Sequence, residues 1–471
     1  MNEYSRTEEN RPTGGRSKQS CSGLAMSLKW RKPRMSCGSR RRVVVVSAVV
    51  FLYICLSLAS FIKNPPGFRV DYLGGKEMKL RIAVLSIVAA LLALPAAAAD
   101  KVKIGFVTTL TTGAAVIGKD MQDAVNLAVE DIGGKMGGLD VEVIFGDDGF
   151  KPETGKQVTD KLVKSDDVDF VAGYIWSHVL LASQKSVLGA GKFLISSNAG
   201  PSQLAGKLCN KNFFSTSWQN DQTPMAMGEV LNQRGIKKLY VMSPNYAAGK
   251  NMVAGVERTF KGEIVGKDMT KWGKDAQLDF SAELAKAGAS GADAIFVFYP
   301  GKAGGAFVKQ YEQAGLTGKL PLYTVFTIDS IALPKLQKAK MKAVLGSLNT
   351  QFWGPDLDTP QNHQFVSGFK KKYGRYPSFY AAQSYDSVFL IKSAVEAVGG
   401  NLADMDGMRA AMEKADFPSV RGAFRYGKNH FPIQNFYLRQ VVEDGDGNWT
   451  TSVVSTVLKD HQDSYVGECK I

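Results

Sequence analysis

Apolar runs alternate with amphipathic segments along the chain from residue 101 onward. Residues 102–110 (VKIGFVTTL) form an apolar run typical of a buried strand. The segment that begins at Gly118 carries its apolar residues on one helical face: Met121, Ala124, Val125, Ala128 and Ile132. Further strands are predicted at 141–145, 168–172 and 193–196, with helices near 153–164 and 179–188 between them. Strands and helices that alternate in this way predict a doubly wound α/β lobe.

The same alternation begins again after Trp218. Strands are predicted at 237–244, 263–267, 292–298 and 320–325, and helices at 247–260, 280–287 and 302–314. No Gly/Ser/Pro-rich linker divides the two halves, so we expect a second lobe joined to the first by several chain crossings. The last third predicts helices at 360–373 and 379–398, strands at 421–426 and 435–442, and a hairpin turn at 444–447.

Two export-like segments precede this pattern. Residues 78–99 have the basic start, apolar stretch and Ala-x-Ala ending of a secretory signal peptide, so we predict cleavage near Ala99 and a soluble periplasmic chain from Asp100. Residues 43–62 are long and apolar enough to cross a bilayer. They are either a true anchor or part of a non-native extension at 1–77. We favour the extension, because residues 74–77 (GGKE) require purine-rich codons that resemble a ribosome-binding site before Met78.

The formal charge of +14 is concentrated in this leader. Residues 1–99 hold 16 Lys/Arg and 5 Asp/Glu, which leaves 42 against 39, or +3, for residues 100–471. The predicted mature chain is therefore nearly neutral, and no nucleic-acid partner is indicated.

Cysteine usage fits an exported protein. Cys21, Cys37 and Cys55 lie in the leader, and the predicted mature chain keeps Cys209 and Cys469. Two cysteines in an oxidising compartment predict one disulfide that pins the C-terminal tail, with two unpaired thiols as the alternative.

No set of residues predicts catalysis, a metal site or a cofactor. Residues 113–119 (GAAVIGK) have the spacing of a phosphate loop, but Asp120 stands where a magnesium-binding hydroxyl is needed. This turn remains suited to an anionic ligand at a helix start. There is no Gly-x-Ser-x-Gly motif, and the histidines are single and scattered: His178, His363, His430 and His461. The sequence therefore indicates a protein that is not an enzyme.

The order of the segments resembles the type I periplasmic substrate-binding proteins of the Leu/Ile/Val-binding class, the solute receptors of ABC importers. The segments that carry the resemblance are 102–132, 147–163, 169–182, 193–206, 239–256 and 293–315. It implies a periplasmic binding protein type I fold, with two doubly wound α/β lobes that are joined by three crossovers and close on a ligand. The lobes expected are residues 100–218 with 350–430, and residues 219–349 with 431–471.

The resemblance also places ligand contacts on both lobes, in loops that follow strand ends. In the first lobe they fall on the turn that contains Trp176 and Ser177 and on Asn198, Ala199 and Gly200, where hydroxyl and backbone N–H groups hold a carboxylate. In the second lobe aromatic contacts fall on Tyr246 and Tyr299, each with lobe packing as the alternative.

Members of that class that bind α-amino acids use a second-lobe acid for the ammonium group. Its position here falls on Phe326 or Thr327, and Asp329 is offset from it. An ammonium group buried without an acid is costly, so we favour an aromatic acid of the benzoate or hydroxycinnamate kind over a branched-chain amino acid. Trp176, Tyr246, Tyr299 and Phe326 are expected to surround the ring.

The resemblance implies an extracytoplasmic solute-binding protein that captures a small carboxylate and delivers it to the permease subunits of an ABC importer. We expect a monomer without a cofactor. The alternative is the ligand-binding ectodomain of a membrane-anchored sensor, which requires residues 43–62 to be a true anchor.

Overall fold

The structure is a computed structural model that describes residues 101–273 and 275–471. The predicted signal peptide at 78–99, the candidate span at 43–62 and the three leader cysteines lie outside the described residues. Within the described ranges, no helix is both long enough and apolar enough to cross a membrane.

The first lobe is built on a sheet whose central strands are parallel. Its strands are β1 (Lys101–Thr108), β2 (Lys135–Met136), β3 (Leu139–Asp147), β4 (Phe170–Gly173), β5 (Phe193–Ser196) and β6 (Phe213–Ser215). They lie in the order β2-β3-β1-β4-β5-β6, and β2 pairs antiparallel with β3. The helices between them are α1 (Ala115–Asp131), α2 (Pro152–Lys164), α3 (Ser177–Leu188) and α4 (Ser202–Ala205). Every residue of β4 and β5 is buried, as expected for strands covered by helices on both faces.

The second lobe combines a parallel sheet with a long antiparallel hairpin. Its strands are β7 (Lys238–Pro244), β8 (Glu263–Thr270), β9 (Ala294–Phe298), β10 (Leu322–Val325), β11 (Leu348–Gln351), β12 (Arg425–Tyr426), β13 (Pro432–Glu443) and β14 (Trp449–His461). The order is β12-β13-β11-β10-β9-β7-β8, and β14 pairs with β13. The helices that follow β6 and lie among these strands are α5 (Gln222–Gln233), α6 (Ala247–Thr259), α7 (Ser281–Ala289), α8 (Lys302–Gln313) and α9 (Leu333–Lys338).

Three further helices return to the first lobe: α10 (Pro360–Tyr373), α11 (Phe379–Ala397) and α12 (Met405–Lys414). Helix α11 packs against α1, where buried Asp120 pairs with Arg375 and accepts the Ser378 N–H at 3.1 Å. In the part of the chain that the structure describes, the chain thus passes between the lobes three times: before α5, before α10 and between α12 and β13. The predicted two-lobed α/β fold with three crossovers is confirmed.

In the last third of the chain, one predicted strand is shorter than expected and one strand was not predicted. The strand expected at 421–426 is reduced to β12, because Arg421 turns inward and pairs with buried Asp386 at 3.0 Å. Strand β14 was not predicted, since its outer half is exposed and polar and lacks a strong apolar pattern. The expected hairpin turn joins β13 to β14, where the Asp444 carboxylate accepts the Asn448 N–H at 2.8 Å.

A disulfide joins Cys209 and Cys469, the pair proposed from the sequence, with their Cα atoms 5.6 Å apart. It fastens the C-terminal tail to the loop after α4 in the first lobe. The tail also contacts the second lobe, because the Tyr465 hydroxyl donates to Asp221 at 2.8 Å and Arg258 lies over the Tyr465 ring.

Candidate functional site

Two cavities lie between the lobes, where the carboxyl ends of the parallel strands face each other. The inner cavity has a volume of about 10 Å³ and the outer one about 190 Å³. Trp176 and Pro300 line both. The inner cavity is lined by Ile175, Trp176, Ser177, Asn198, Ala199, Trp218, Asn220, Tyr246, Ala248, Met252, Phe298, Pro300, Phe326 and Tyr380. None of these described lining residues carries a charged side chain.

On the first-lobe face, Ser177 is the first residue of α3 and is buried. Its hydroxyl oxygen accepts a hydrogen bond from Asn220 Nδ2 at 3.0 Å, so the hydroxyl proton remains available to a ligand. No side chain in the described part of the chain caps α3, and the first N–H groups of a helix have no partner within the helix. This helix start can therefore hold an anion such as a carboxylate.

The loop of Asn198, Ala199 and Gly200 has a different role from the one predicted. The Ala199 N–H donates to the Tyr174 carbonyl at 3.0 Å, and the Gly200 N–H donates to Asn220 Oδ1 at 3.1 Å. These N–H groups are therefore occupied by the protein itself. Gly200 lines neither cavity, and a Cβ atom there would lie 1.9 Å from the Trp218 carbonyl oxygen, so close backbone packing accounts for the glycine.

Asn198 and Ala199 do line the inner cavity. The Asn198 amide is held at both ends, since Nδ2 donates to the Ile175 carbonyl at 2.7 Å and Oδ1 accepts from Gln383 Nε2 at 2.6 Å. A side chain held in this way presents a rigid wall to a ligand.

Two successive hydrogen bonds hold the Trp176 side chain in place. Its indole N–H donates to Thr109 Oγ1 at 2.8 Å, and the Thr109 hydroxyl donates to Asp148 Oδ1 at 2.6 Å. The same carboxylate oxygen accepts the Phe150 N–H at 2.8 Å, and the Phe150 ring stacks on Trp176 with centroids 4.2 Å apart. Burial raises the Asp148 pKa to about 6.

On the second-lobe face, Tyr246 reaches across to the first lobe. Its ring stacks on Trp272 at 5.5 Å and meets His178 edge-on at 5.3 Å. Its hydroxyl has no hydrogen-bond partner among the described residues. Burial raises the pKa of this hydroxyl, so it stays protonated and can donate to a ligand. Burial also lowers the His178 pKa to about 4, which leaves that ring neutral at physiological pH.

Tyr299 lies in the core of the second lobe and lines neither cavity. Its ring packs against Phe280 at 4.6 Å, and its hydroxyl accepts from Thr270 Oγ1 at 3.1 Å. The position of the side chain supports lobe packing, the alternative given for Tyr299, rather than the predicted ligand contact. Successive residues at a strand end point to opposite sides, and the residues on either side, Phe298 and Pro300, line the cavity instead.

Phe326 and Thr327 also have different surroundings in the structure, since only Phe326 lines the inner cavity. Phe326 has a φ of 53°, in the left-handed region, and its ring enters the cavity wall and stacks on Trp218 at 4.8 Å. Such a backbone conformation is costly for an aromatic residue and is typical of functional sites. Thr327 lines neither cavity, because its hydroxyl oxygen accepts the Tyr299 N–H at 2.8 Å and bonds within the strand ends.

Asp329 does not line the cavities either. Its Oδ1 atom accepts the Ile331 and Ala332 N–H groups at 2.9 and 3.1 Å, and burial raises its pKa to about 6. Among the residues that the structure describes, the wall of the inner cavity therefore has no carboxylate to receive an ammonium group.

Residues 101–446 match the family described as periplasmic binding protein. The chain belongs to this family. Periplasmic binding proteins of this type are extracytoplasmic substrate-binding receptors of ABC transporters and bind small ligands. The interpretation of the chain as a solute receptor rather than an enzyme is thereby confirmed.

Relatives of this periplasmic binding protein agree with the Leu/Ile/Val-binding class. Leu/Ile/Val-binding protein homolog 6 of Brucella abortus is 26% identical over 389 residues, which cover 80% of this chain and 97% of the relative. A solute-binding protein of an ABC transporter from R. palustris, solved in complex with benzoate, is 30% identical with a TM-score of 0.72, over 79% of this chain and 100% of that one. Another, from Rhodopseudomonas palustris BisB5 in complex with 3,4-dihydroxybenzoic acid, is 27% identical with a TM-score of 0.69, over 77% and 99%.

Sequence reasoning missed several residues of the inner cavity: Trp218, Asn220, Met252, Phe298 and Tyr380. Trp218 and Asn220 lie in the first crossover, and Tyr380 lies in α11, some two hundred residues after the first-lobe loops that it faces. No motif marks these positions. The one available signal was the position of Phe298 at the end of a strand. The prediction placed the ligand contact there on the next residue, Tyr299.

Proposed function

We propose that this periplasmic binding protein captures a small aromatic carboxylate in the inner cavity and delivers it to the permease subunits of an ABC importer. The observation that supports the ligand class is a cavity wall whose described residues carry no charged side chain and combine a helix start without a side-chain cap with aromatic rings. The carboxylate binds at Ser177 and the first turn of α3. The ring lies among Tyr246, Phe298 and Phe326.

The absence of a charged residue from the described cavity wall disfavours an amino acid as the ligand. An α-ammonium group needs an acidic partner when it leaves water, because an unpaired buried charge is costly. A carboxylate differs, since uncharged N–H and O–H donors at a helix start can replace its water shell. The benzoate-bound relative, at 30% identity, supports the same class.

The energies require both faces of the cavity. Burial of a ring of ~150 Å² at ~25 cal/mol per Å² contributes about 4 kcal/mol, whereas micromolar affinity needs about 8 kcal/mol. Two or three charge-assisted hydrogen bonds of roughly 1.5–3 kcal/mol each supply the difference before the cost of association is counted.

The inner cavity of about 10 Å³ has room for roughly one water molecule. A benzoate ring is larger, so entry requires the walls to separate. Because the walls come from two lobes joined by crossovers, we propose a hinge movement that opens and closes the cleft. In this proposal the lobes are residues 100–218 with 350–430 and residues 219–349 with 431–471. The protein acts in the periplasm as a monomer after cleavage of the signal peptide at 78–99.

Calorimetric titration with benzoate and leucine tests the ligand class. We expect benzoate to bind with micromolar or tighter affinity and leucine to bind at least tenfold more weakly. Tight binding of leucine without binding of benzoate would contradict the proposal and favour a branched-chain amino acid receptor.

A further inference from the structure

Tyr380 brings an unpaired hydroxyl group to the inner cavity. It is the second residue of α11, its side chain is 3% exposed, and it lines the cavity wall. Its hydroxyl has no hydrogen-bond partner among the described residues. On the same helix, by contrast, the Tyr385 hydroxyl donates to Asp131 at 2.6 Å. Because the residue is otherwise buried, the partner of the Tyr380 hydroxyl must come from inside the cavity, as water or as a group of the ligand.

Tyr246 offers a second unpaired hydroxyl to the same cavity from the other lobe. Burial raises the Tyr380 pKa well above its usual value, so this hydroxyl stays protonated. Both hydroxyl groups can therefore donate a hydrogen bond as well as accept one, and no charged side chain stands beside them in the described wall of the cavity. Two such groups pair well with an uncharged ligand group that also donates and accepts.

A ligand that satisfies the whole cavity must therefore have two different polar groups. Its anionic group belongs at Ser177 and the start of α3, where the helix has N–H groups to offer. Its second group must pair with the two tyrosine hydroxyls, as a ring hydroxyl or an ammonium group could. An ammonium lacks an acidic partner in the described wall, since Asp329 does not line the inner cavity. A ring hydroxyl both donates and accepts, so it can pair with either phenol group without a buried charge.

We propose that Tyr380 is a specificity-determining residue of the inner cavity, and that with Tyr246 it selects an aromatic acid whose ring carries a hydroxyl group over the unsubstituted acid. This inference rests on the proposed function. Tyr380 was not among the contacts predicted from the sequence. A site that hydrogen bonds a ligand hydroxyl discriminates against the ligand that lacks it, because its own polar groups are then left without that partner.

Titration calorimetry with benzoate, 4-hydroxybenzoate, 3,4-dihydroxybenzoate and leucine tests this inference on the wild type and on Tyr380→Phe. We expect the wild type to bind at least one hydroxylated acid about tenfold more tightly than benzoate. Tyr380→Phe keeps the ring and removes only the hydroxyl. It should therefore abolish most of that preference, because affinity for the hydroxylated acid falls more than affinity for benzoate. Tyr246→Phe should reduce the preference in the same direction.

Tyr385→Phe is the matched control, since it removes a hydroxyl from the same helix outside the cavity. It should lower stability and leave the preference for hydroxylated acids unchanged. Equal binding of benzoate and both hydroxylated acids by the wild type, or an undiminished preference in Tyr380→Phe, would overturn the role of Tyr380 and leave the proposed function standing. Binding of leucine alone would overturn both. If Tyr380→Phe does not fold, the wild-type titrations decide.

Discussion

The two faces of the cleft hold their side chains in different ways. On the first-lobe face, polar side chains are fixed by hydrogen bonds from the protein, such as Asn220 to Ser177 at 3.0 Å and Gln383 to Asn198 at 2.6 Å. On the second-lobe face, Tyr246 and Phe326 are held mainly by ring contacts, and the Tyr246 hydroxyl has no partner among the described residues.

Because of this difference, the first-lobe face should orient the ligand and the second-lobe face should supply contact area to it. Fixed donors on the first face set where a charged group must sit, because hydrogen bonds weaken steeply with poor geometry. Stacked rings on the second face contribute in proportion to the area they cover and tolerate small changes of ligand shape. Substitutions on the first face should therefore have sharp effects on affinity, and those behind the second face should affect stability more than binding.

Trp176→Ala should have the largest effect, because Trp176 joins the two faces. The change removes a buried ring that stacks on Phe150 and meets Trp272 edge-on at 5.8 Å. Removal of a buried tryptophan ring costs about 3–5 kcal/mol of unfolding free energy. We also expect affinity for benzoate to fall by about a hundredfold or more. Denaturant unfolding and calorimetry measure the two effects, and an affinity within threefold of wild type would show that the faces act independently.

Asp148 lies behind the first-lobe face, and Asp148→Asn should alter the pH dependence of the unfolding free energy. Burial raises the Asp148 pKa from 3.8 to about 6, so the folded state holds this proton more tightly than the unfolded state does. For a carboxyl group whose pKa rises on folding, the contribution to stability falls as pH increases from about 4 to about 6. A shift of two pKa units corresponds to about 3 kcal/mol of unfolding free energy. The asparagine variant would not lose this amount as pH rises.

Unfolding free energies of both proteins at pH 4 and pH 7 measure this difference. The wild type should lose stability relative to Asp148→Asn over this interval. The asparagine side chain can still accept the bonds from Thr109 and Phe150, so benzoate affinity should change little. Parallel pH profiles for the two proteins would contradict the burial of an ionisable carboxyl group at this position.

Ser177→Ala should weaken benzoate binding at least tenfold with little loss of stability. The change removes a hydroxyl donor to the carboxylate, and a hydrogen bond to a charged group contributes roughly 1.5–3 kcal/mol. Ser281→Ala is the matched control, since Ser281 is also the first residue of a helix but is exposed in the second lobe. Unchanged affinity in Ser177→Ala, measured by calorimetry, would remove Ser177 from the site.

Tyr299→Phe should have the smallest effect on binding. The hydroxyl bonds Thr270 within the second-lobe core, so its loss should lower unfolding free energy by about 1 kcal/mol. Benzoate affinity should stay within twofold in a calorimetric titration. A tenfold loss of affinity would show that Tyr299 is part of the second-lobe face of the cleft after all.

Much of this arrangement could be predicted from the sequence because it depends on local periodicity. The strand at 193–196 and the helix at 360–373 have the predicted bounds. Trp176, Ser177 and Asn198 reach the inner cavity because loops after parallel strands converge at one edge of a sheet.

Other parts of the site depend on features that no local pattern carries. A difference of one residue at the end of β9 places Phe298 in the cavity wall and Tyr299 in the core. The left-handed backbone of Phe326 is imposed by its surroundings rather than by its own preference. Tyr380 reaches the cavity through the packing of α11 on the first lobe, which depends on tertiary contacts between distant segments.

The central claim is that two lobes close on one aromatic acid, and small-angle X-ray scattering with and without ligand tests it most directly. The radius of gyration should decrease when benzoate or 4-hydroxybenzoate saturates the protein and should stay constant when leucine is added. A radius of gyration that no aromatic acid changes, or one that leucine alone decreases, would contradict the account.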